Sequence, residues 1–280
     1  MQLDNPKVSI CICNRNMADT LEMSVTSILN QIDQRFEVLV VDDGSTDNSV
    51  EILEHIQRNF SNFRYFSIAR DKKRKLGFTR NISIEHATGE WVVLHLDTDD
   101  KIDNGLVKFV EDVLRINEVD STPALYSGHQ IHMAPRKWLV TLGPYRNLYR
   151  LEDRDLYQRL IPSGQWRIIE HDRFISRLKR DRRRSLKKTT RDAFEHLISD
   201  TRYCDNFIET LRKEVSRKSA GKIVLKFYRL ISLPFAYKIG RGLGKIETSI
   251  GDFSDHGVRL YRETNTRNVN EWCDFLYSLK

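Results

Sequence analysis

Short apolar runs and amphipathic segments take turns through the first hundred residues, and this alternation constrains the fold more than any other feature of the chain. Residues 8–13 (VSICIC), 36–41 (FEVLVV) and 91–96 (WVVLHL) are almost wholly apolar, as expected of strands buried on both faces. A fourth strand is predicted over 64–69. Between them, residues 20–31 place Leu21, Val25, Ile28, Leu29 and, just beyond, Ile32 at helical spacing, and 49–60 and 78–87 read as further helices. Asp42-Asp43-Gly44-Ser45-Thr46-Asp47 supplies turn chemistry and then a helix cap, while Thr88-Gly89 stops the helix before the last strand. Strand, helix and strand at this spacing predict a parallel sheet with crossover helices.

Beyond Asp103 the pattern loosens. Residues 105–116 read as an amphipathic helix, 124–133 as an edge strand and 152–160 as a helix, and from Arg173 the chain is expected to be mainly helical. The sole plausible boundary falls near 188–190. With 40% hydrophobic and 30% charged residues the composition is globular and excludes a disordered or collagenous chain. Four cysteines, Cys11, Cys13, Cys204 and Cys273, are too few for a disulfide framework and point to a reduced, intracellular protein. The N-terminus carries acid and proline before its apolar stretch, unlike a signal peptide. No apolar run reaches the roughly 18 residues of a spanning helix.

In an open parallel sheet, ligands bind beyond the carboxyl ends of the strands. Two acidic clusters fall there: Asp42-Asp43 after the second strand and Asp97-Thr98-Asp99-Asp100 after the last. Turn chemistry alone would account for the first. Three carboxylates within four residues repel one another unless a cation lies between them, and an oxygen-rich site suits Mg²⁺ or Mn²⁺. A solvated acidic loop is the bland alternative.

The stretches VSICICNRNMADTLEMSVTSILNQ, FEVLVVDDGSTDNSVEIL and GFTRNISIEHATGEWVVLHLDTDD resemble, in order and spacing, the nucleotide-sugar half of family 2 glycosyltransferases. LEDRDLYQRL at 151–160 resembles the acceptor-side Glu-Asp motif. The resemblance implies a GT-A fold: a mostly parallel Rossmann-like α/β sheet over 1–190, with a nucleotide-sugar half (1–105) and an acceptor half (106–190), followed by a helical extension over 191–280. It implies an inverting, metal-dependent hexosyltransferase using a UDP- or GDP-linked donor and Mg²⁺ or Mn²⁺. It places Asp43 on the donor base, Asp97 and Asp99 at the D-x-D positions that meet ribose and metal, and Asp100 in support. Arg80 falls on the donor side and Asp153 on the general base. Asn14, expected among the nucleotide-sugar-binding residues, lies in Cys13-Asn14-Arg15-Asn16, where the family usually reads Pro-Thr-Tyr-Asn. Glu170-His171-Asp172 is a rival for the Glu-Asp motif.

The chemistry fits these residue types. A departing nucleoside diphosphate gathers negative charge that a dication neutralises, and the acceptor hydroxyl must lose a proton to a positioned carboxylate. A sugar-1-phosphate nucleotidyltransferase would share sheet and carboxylates, but it opens with a glycine-rich phosphate loop where this chain has CNRNMAD. A silent binding module would be expected to lose the carboxylates.

Charge is concentrated. Between His171 and Arg191 ten basic residues face Asp172 and Asp181, so this segment carries +8 and the rest of a chain of net charge +7 carries −1. Residues 221–240 (GKIVLKFYRLISLPFAYKIG) place Lys222, Lys226 and Arg229 on one helical stripe opposite Ile223, Leu225, Phe227 and Leu230, with Pro234 expected to break or kink the helix. Band and helix together suggest peripheral attachment to an anionic membrane surface, at the cytoplasmic face of the cell membrane, and a lipid-linked or envelope glycan as acceptor. A docked core helix is the alternative. Nucleic acid is not expected, because Arg177–Lys188 holds no aromatic residue for stacking.

Overall fold

The structure is a computed structural model that describes residues 7–94, 96–148, 152–179, 186–216, 223–245 and 261–279. Four parallel strands open the chain: β1 (Val8–Asn14), β2 (Phe36–Asp42), β3 (Phe63–Ser67) and β4 (Trp91–Leu94). Helices α1 (Ala18–Leu29), α2 (Ser49–Asn59) and α3 (Leu76–His86) connect them. Alternating side chains of the buried strands feed two cores. Ile10, Ile12, Val38, Val40 and Val93 pack with Leu21, Val25, Leu53 and Ile56 on one face. Cys11, Leu39, Val92 and Leu94 pack with Ile84 on the other. Covering both faces is what makes these strands continuously apolar in sequence.

The sheet then grows past β4. Short β5 (Asp100–Ile102) and helix α4 (Leu106–Val119) precede β6 (Leu125–Ser127), β7 (His132–Pro135), α5 (Arg136–Leu142), α6 (Glu152–Leu160) and β8 (Trp166–Ile169). Next come β9 (Ile175–Arg177), α7 (Leu186–Arg202), α8 (Phe207–Ser216), α9 (Ile223–Gly242), β10 (Thr266–Arg267) and α10 (Val269–Ser278). The eight-stranded order is β10-β8-β6-β7-β4-β1-β2-β3, with β7 antiparallel to β4 and β6. The mostly parallel α/β sheet expected from the sequence is therefore present.

Two expectations need correction. Residues 124–133 form no single edge strand but parts of β6 and β7, and β7 lies inside the sheet against β4. The segment after Arg173 is not helical at first: β9 pairs antiparallel with β5, and the helices begin at Leu186. The C-terminal region is largely helical, as expected, and its end also returns to the sheet. Strand β10 pairs with β8, and Trp272, Cys273 and Leu276 of α10 enter the larger core beside Phe109 and Val113 of α4.

Helices α7, α8 and α9 form a separate small core from Leu197, Ile198, Leu233 and Ala236. Here the expected amphipathicity is inverted. Arg229 is buried, with its guanidinium donating to both carboxylate oxygens of Glu214 at 2.6 and 2.8 Å, to Asp200 at 2.9 Å and to the Ala193 carbonyl at 3.0 Å. Lys226 Nζ reaches the Val215 carbonyl at 2.8 Å. The basic stripe thus faces α7 and α8, and Leu233 points inward with it. Facing out are Val224, Phe227, Ile231 and Phe235, at 82%, 61%, 73% and 69% exposure. Pro234 does not break α9, which continues to Gly242. Gly221, Lys222 and, of the basic band, Arg180, Arg182, Arg183 and Arg184 lie outside the described residues.

Candidate active site

Register aligns the strand ends. Asn14 lies opposite Asp42 across β1 and β2, and Cys13 bridges to Asp97 just beyond β4. Asn14 is buried and ties these ends together: its amide donates to Asp42 Oδ1 at 2.8 Å and accepts from Thr98 Oγ1 at 3.0 Å. Asp42 also accepts from the Ser45 amide at 3.0 Å, closing the turn that carries Asp43. Gly44 occupies the left-handed region at φ +63°, and a Cβ there would stand 2.8 Å from the Arg70 backbone nitrogen. That close approach delivers Arg70, which joins Arg74 in clasping the Asp43 carboxylate; Arg74 Nε donates to Oδ1 at 3.1 Å. Neither arginine was singled out in the sequence.

Asp97, Asp99 and Asp100 stand together after β4. Asp100 is buried, accepts from the Asp97 amide at 3.1 Å, and is pushed up to about 6 by burial. Pairing of β5 with β9 sets Arg177 directly opposite Asp100. The Arg177 guanidinium bonds to Asp99, lies 3.5 Å from Asp97 Oδ2, and brings Nε within 3.1 Å of Asp100 Oδ1. A side chain read in the sequence as membrane-facing charge is instead the cation among these three carboxylates.

The acceptor-side motif opens α6. Glu152 is buried and its carboxyl is pushed up to about 7 by burial, with Asp153 beside it adding repulsion and Arg80 opposing. Arg80, also buried, lies with Nε 3.3 Å from Glu152 and Nη2 3.3 Å from Asp97. One guanidinium, 72 residues from Glu152 in sequence, therefore joins Asp97 after β4 to Glu152 of α6. Asp153 Oδ1 accepts from the Arg154 amide at 2.8 Å, and Oδ2 lies 3.5 Å from the Tyr157 hydroxyl. Burial holds that hydroxyl well above its ordinary pKa, so it stays protonated. It shares a 2.5 Å hydrogen bond with His132 Nε2, and His132 Nδ1 continues to Ser127 Oγ at 2.8 Å.

The rival Glu170-His171-Asp172 follows β8 as a loop. His171 Nε2 accepts from the His129 amide at 2.8 Å, and its ring packs 5.3 Å from Phe109 and 5.0 Å from Phe174. It is a packed histidine, as the bland reading held.

A dication held here would meet hard oxygen donors, and a cationic group already sits among them, so the residues fit Mg²⁺ or Mn²⁺ by chemistry. Among the described residues no three metal-ligating side chains form a ready-made cluster. Protein ligands would be few, with phosphate oxygens completing the shell.

Known proteins place this geometry. Over 155 residues the chain is 31% identical to a cholesterol galactosyltransferase of Borreliella burgdorferi, covering 55% of this chain and 41% of that protein. Over 100 residues it is 30% identical to a Campylobacter jejuni GalNAc(5)-diNAcBac-PP-undecaprenol beta-1,3-glucosyltransferase, covering 36% and 32%. The chain thus spans about two fifths or less of the length of these curated relatives. Among solved structures, the mannosyltransferase PcManGT from Pyrobaculum calidifontis in complex with GDP-Man and Mn²⁺ superposes with a TM-score of 0.54 at 14% identity, covering 98% of this chain and 80% of that one. S. aureus TarS 1-349 in complex with UDP-GlcNAc gives 0.54 at 15%, covering 98% and 91%. At such identities these two likenesses speak for the fold alone. Residues 9–178 match the sequence profile of Glycosyl transferase family 2, and the chain belongs to that family.

Proposed function

We propose that the protein is an inverting hexosyltransferase that moves a sugar from a UDP- or GDP-linked donor to a hydroxyl of a glycan or lipid-linked acceptor. The observation that carries the reading is Arg80, which joins the Asp97 carboxylate of the donor side to Glu152 beside Asp153 on the acceptor side. The groups assigned to donor and acceptor thereby meet at one guanidinium. In this reading Asp43 meets the nucleotide base, held by Arg70 and Arg74, and Asn14 keeps the two strand ends in register beneath it. Asp97 and Asp99, steadied by Asp100, hold Mg²⁺ or Mn²⁺. A dication bound there neutralises the leaving diphosphate. Asp153 takes the acceptor hydroxyl's proton as that oxygen attacks the anomeric carbon from the face opposite the diphosphate, which inverts the centre. Tyr157 and His132 orient the Asp153 carboxylate from behind.

Attachment to an anionic membrane surface belongs to the same proposal. No helix among the described residues is long and apolar enough to cross a membrane. The outward face of α9, flanked by exposed Lys238 and Arg241, suits an interfacial position. The names of relatives acting on cholesterol and on an undecaprenol-linked glycan support a lipid-borne acceptor. The experiment is a donor screen for nucleoside diphosphate release in Mn²⁺ or Mg²⁺, with and without a lipid-linked acceptor. Acceptor-dependent release that chelator abolishes is expected; full-rate transfer in excess chelator would remove the metal from the proposal.

A further inference from the structure

The cation among Asp97, Asp99 and Asp100 is there by construction. Register across β5 and β9 sets Arg177 opposite Asp100, and the Leu178 amide donates to the Asp99 carbonyl at 2.7 Å. At the other end of the pairing, β9 is anchored by the Asp103 amide on the Phe174 carbonyl, also at 2.7 Å. Main-chain bonds thus present the guanidinium to the carboxylates, and it contacts all three. Asp100 Oδ1 is buried and accepts no well-aligned hydrogen bond, although Arg177 Nε stands 3.1 Å away. The Arg177 side chain is 50% exposed, so it is free to swing outward without unpacking a core.

We propose that Arg177 is a guard on this site: in the donor-free protein its guanidinium holds the place of the divalent cation, and it yields only when a donor diphosphate offers it another anionic partner. The inference rests on the reading of Asp97 and Asp99 as the metal-holding pair. Arg177 occupies the carboxylate oxygens that a dication would need, so a dication alone must displace it. A diphosphate changes that balance, because a guanidinium fork bonds phosphate oxygens as well as it bonds carboxylate. Metal and nucleotide therefore bind together more tightly than either alone, and by linkage each strengthens the other equally. The consequence is a protein that does not load metal ahead of its donor.

Direct Mn²⁺ binding tests this, by electron paramagnetic resonance of free Mn²⁺ or by calorimetry, without nucleotide and independently of turnover. Wild type should bind Mn²⁺ weakly. Arg177→Gln should bind it at least tenfold more tightly, and Asp99→Asn in the Arg177→Gln background should lose that gain. Arg177→Lys keeps the charge on the same strand and should fall between the two. Thermal unfolding should show a larger Mn²⁺-induced rise in Tm for Arg177→Gln than for wild type, which also reports that the variant is folded. Equal Mn²⁺ affinity in wild type and Arg177→Gln, with Asp99→Asn abolishing both, overturns the guard and leaves the metal pair standing. No Mn²⁺ binding by any variant, with or without UDP or GDP, overturns both.

Discussion

Arg80 carries the geometry of the site at the scale of one side chain. Buried and shared between Asp97 and Glu152, it ties the loop after β4 to the start of α6. The proposed general base, Asp153, is the clearest single-residue test. Asp153→Asn keeps size and loses the proton acceptor, so turnover should fall by roughly 10²–10⁴ with donor affinity unchanged. Glu170→Gln and Asp172→Asn should leave turnover near wild type; the reverse result in single-turnover assays would move the base to the loop after β8. Glu152 makes a different prediction. Burial lifts its folded pKa to about 7, above the ordinary carboxyl value of 4.5, so the fold favours its protonated form. That contribution is complete below about 4.5 and is lost as pH rises through about 7. Glu152→Gln, neutral throughout, should show a Tm that gains on wild type across this window; a constant difference would show that Glu152 does not titrate there.

Short connections and helix faces decide what these side chains meet. The turn after β2 works only because residue 44 is glycine. Gly44→Ala places a Cβ at φ +63° and 2.8 Å from the Arg70 nitrogen, at a strain of about 1–2 kcal/mol. Urea unfolding should report that loss, and nucleotide affinity should fall with it as Arg70 is pushed off Asp43. On α9 the outward stripe of Val224, Phe227, Ile231 and Phe235 replaces the residues that a plain amphipathic reading offers, since Leu233 and Arg229 point inward. Phe227→Ser with Phe235→Ser should leave the helical core intact and reduce co-sedimentation with anionic vesicles; undiminished binding would place the membrane contact elsewhere.

Over the whole molecule, the last residues are a structural member of the first domain. Trp272 is buried in the larger core and its indole donates to the Ile168 carbonyl at 2.8 Å. Trp272→Ala should cost about 3–5 kcal/mol, read as a lower urea midpoint for the sheet domain and not only for the helices. Removing β10 and α10 should be worse, because it strips β8 of its neighbour and exposes the α4 face of the core. A sheet domain that unfolds at the same midpoint after either change would contradict this placement.

The opening alternation determined the parallel sheet, because strands buried on both faces and helices buried on one write different periods into the chain. It also marked Asp42-Asp43 and Asp97-Thr98-Asp99-Asp100 as strand-end carboxylates, since a loop after a parallel strand emerges at one edge whatever follows. The helix carrying Glu152 and Asp153 was equally legible. Long-range pairing was not. Whether Arg177 faced a lipid or Asp99 depended on β9 finding β5, 75 residues back, and three-residue strands leave no period to read. Whether Arg229 faced solvent or Glu214 depended on which side of α9 met α7 and α8, and a helix with charge on one stripe and apolar residues on the other offers both choices. Tertiary structure chose the side on which two carboxylates could pair the buried guanidinium, and it left the apolar face outward.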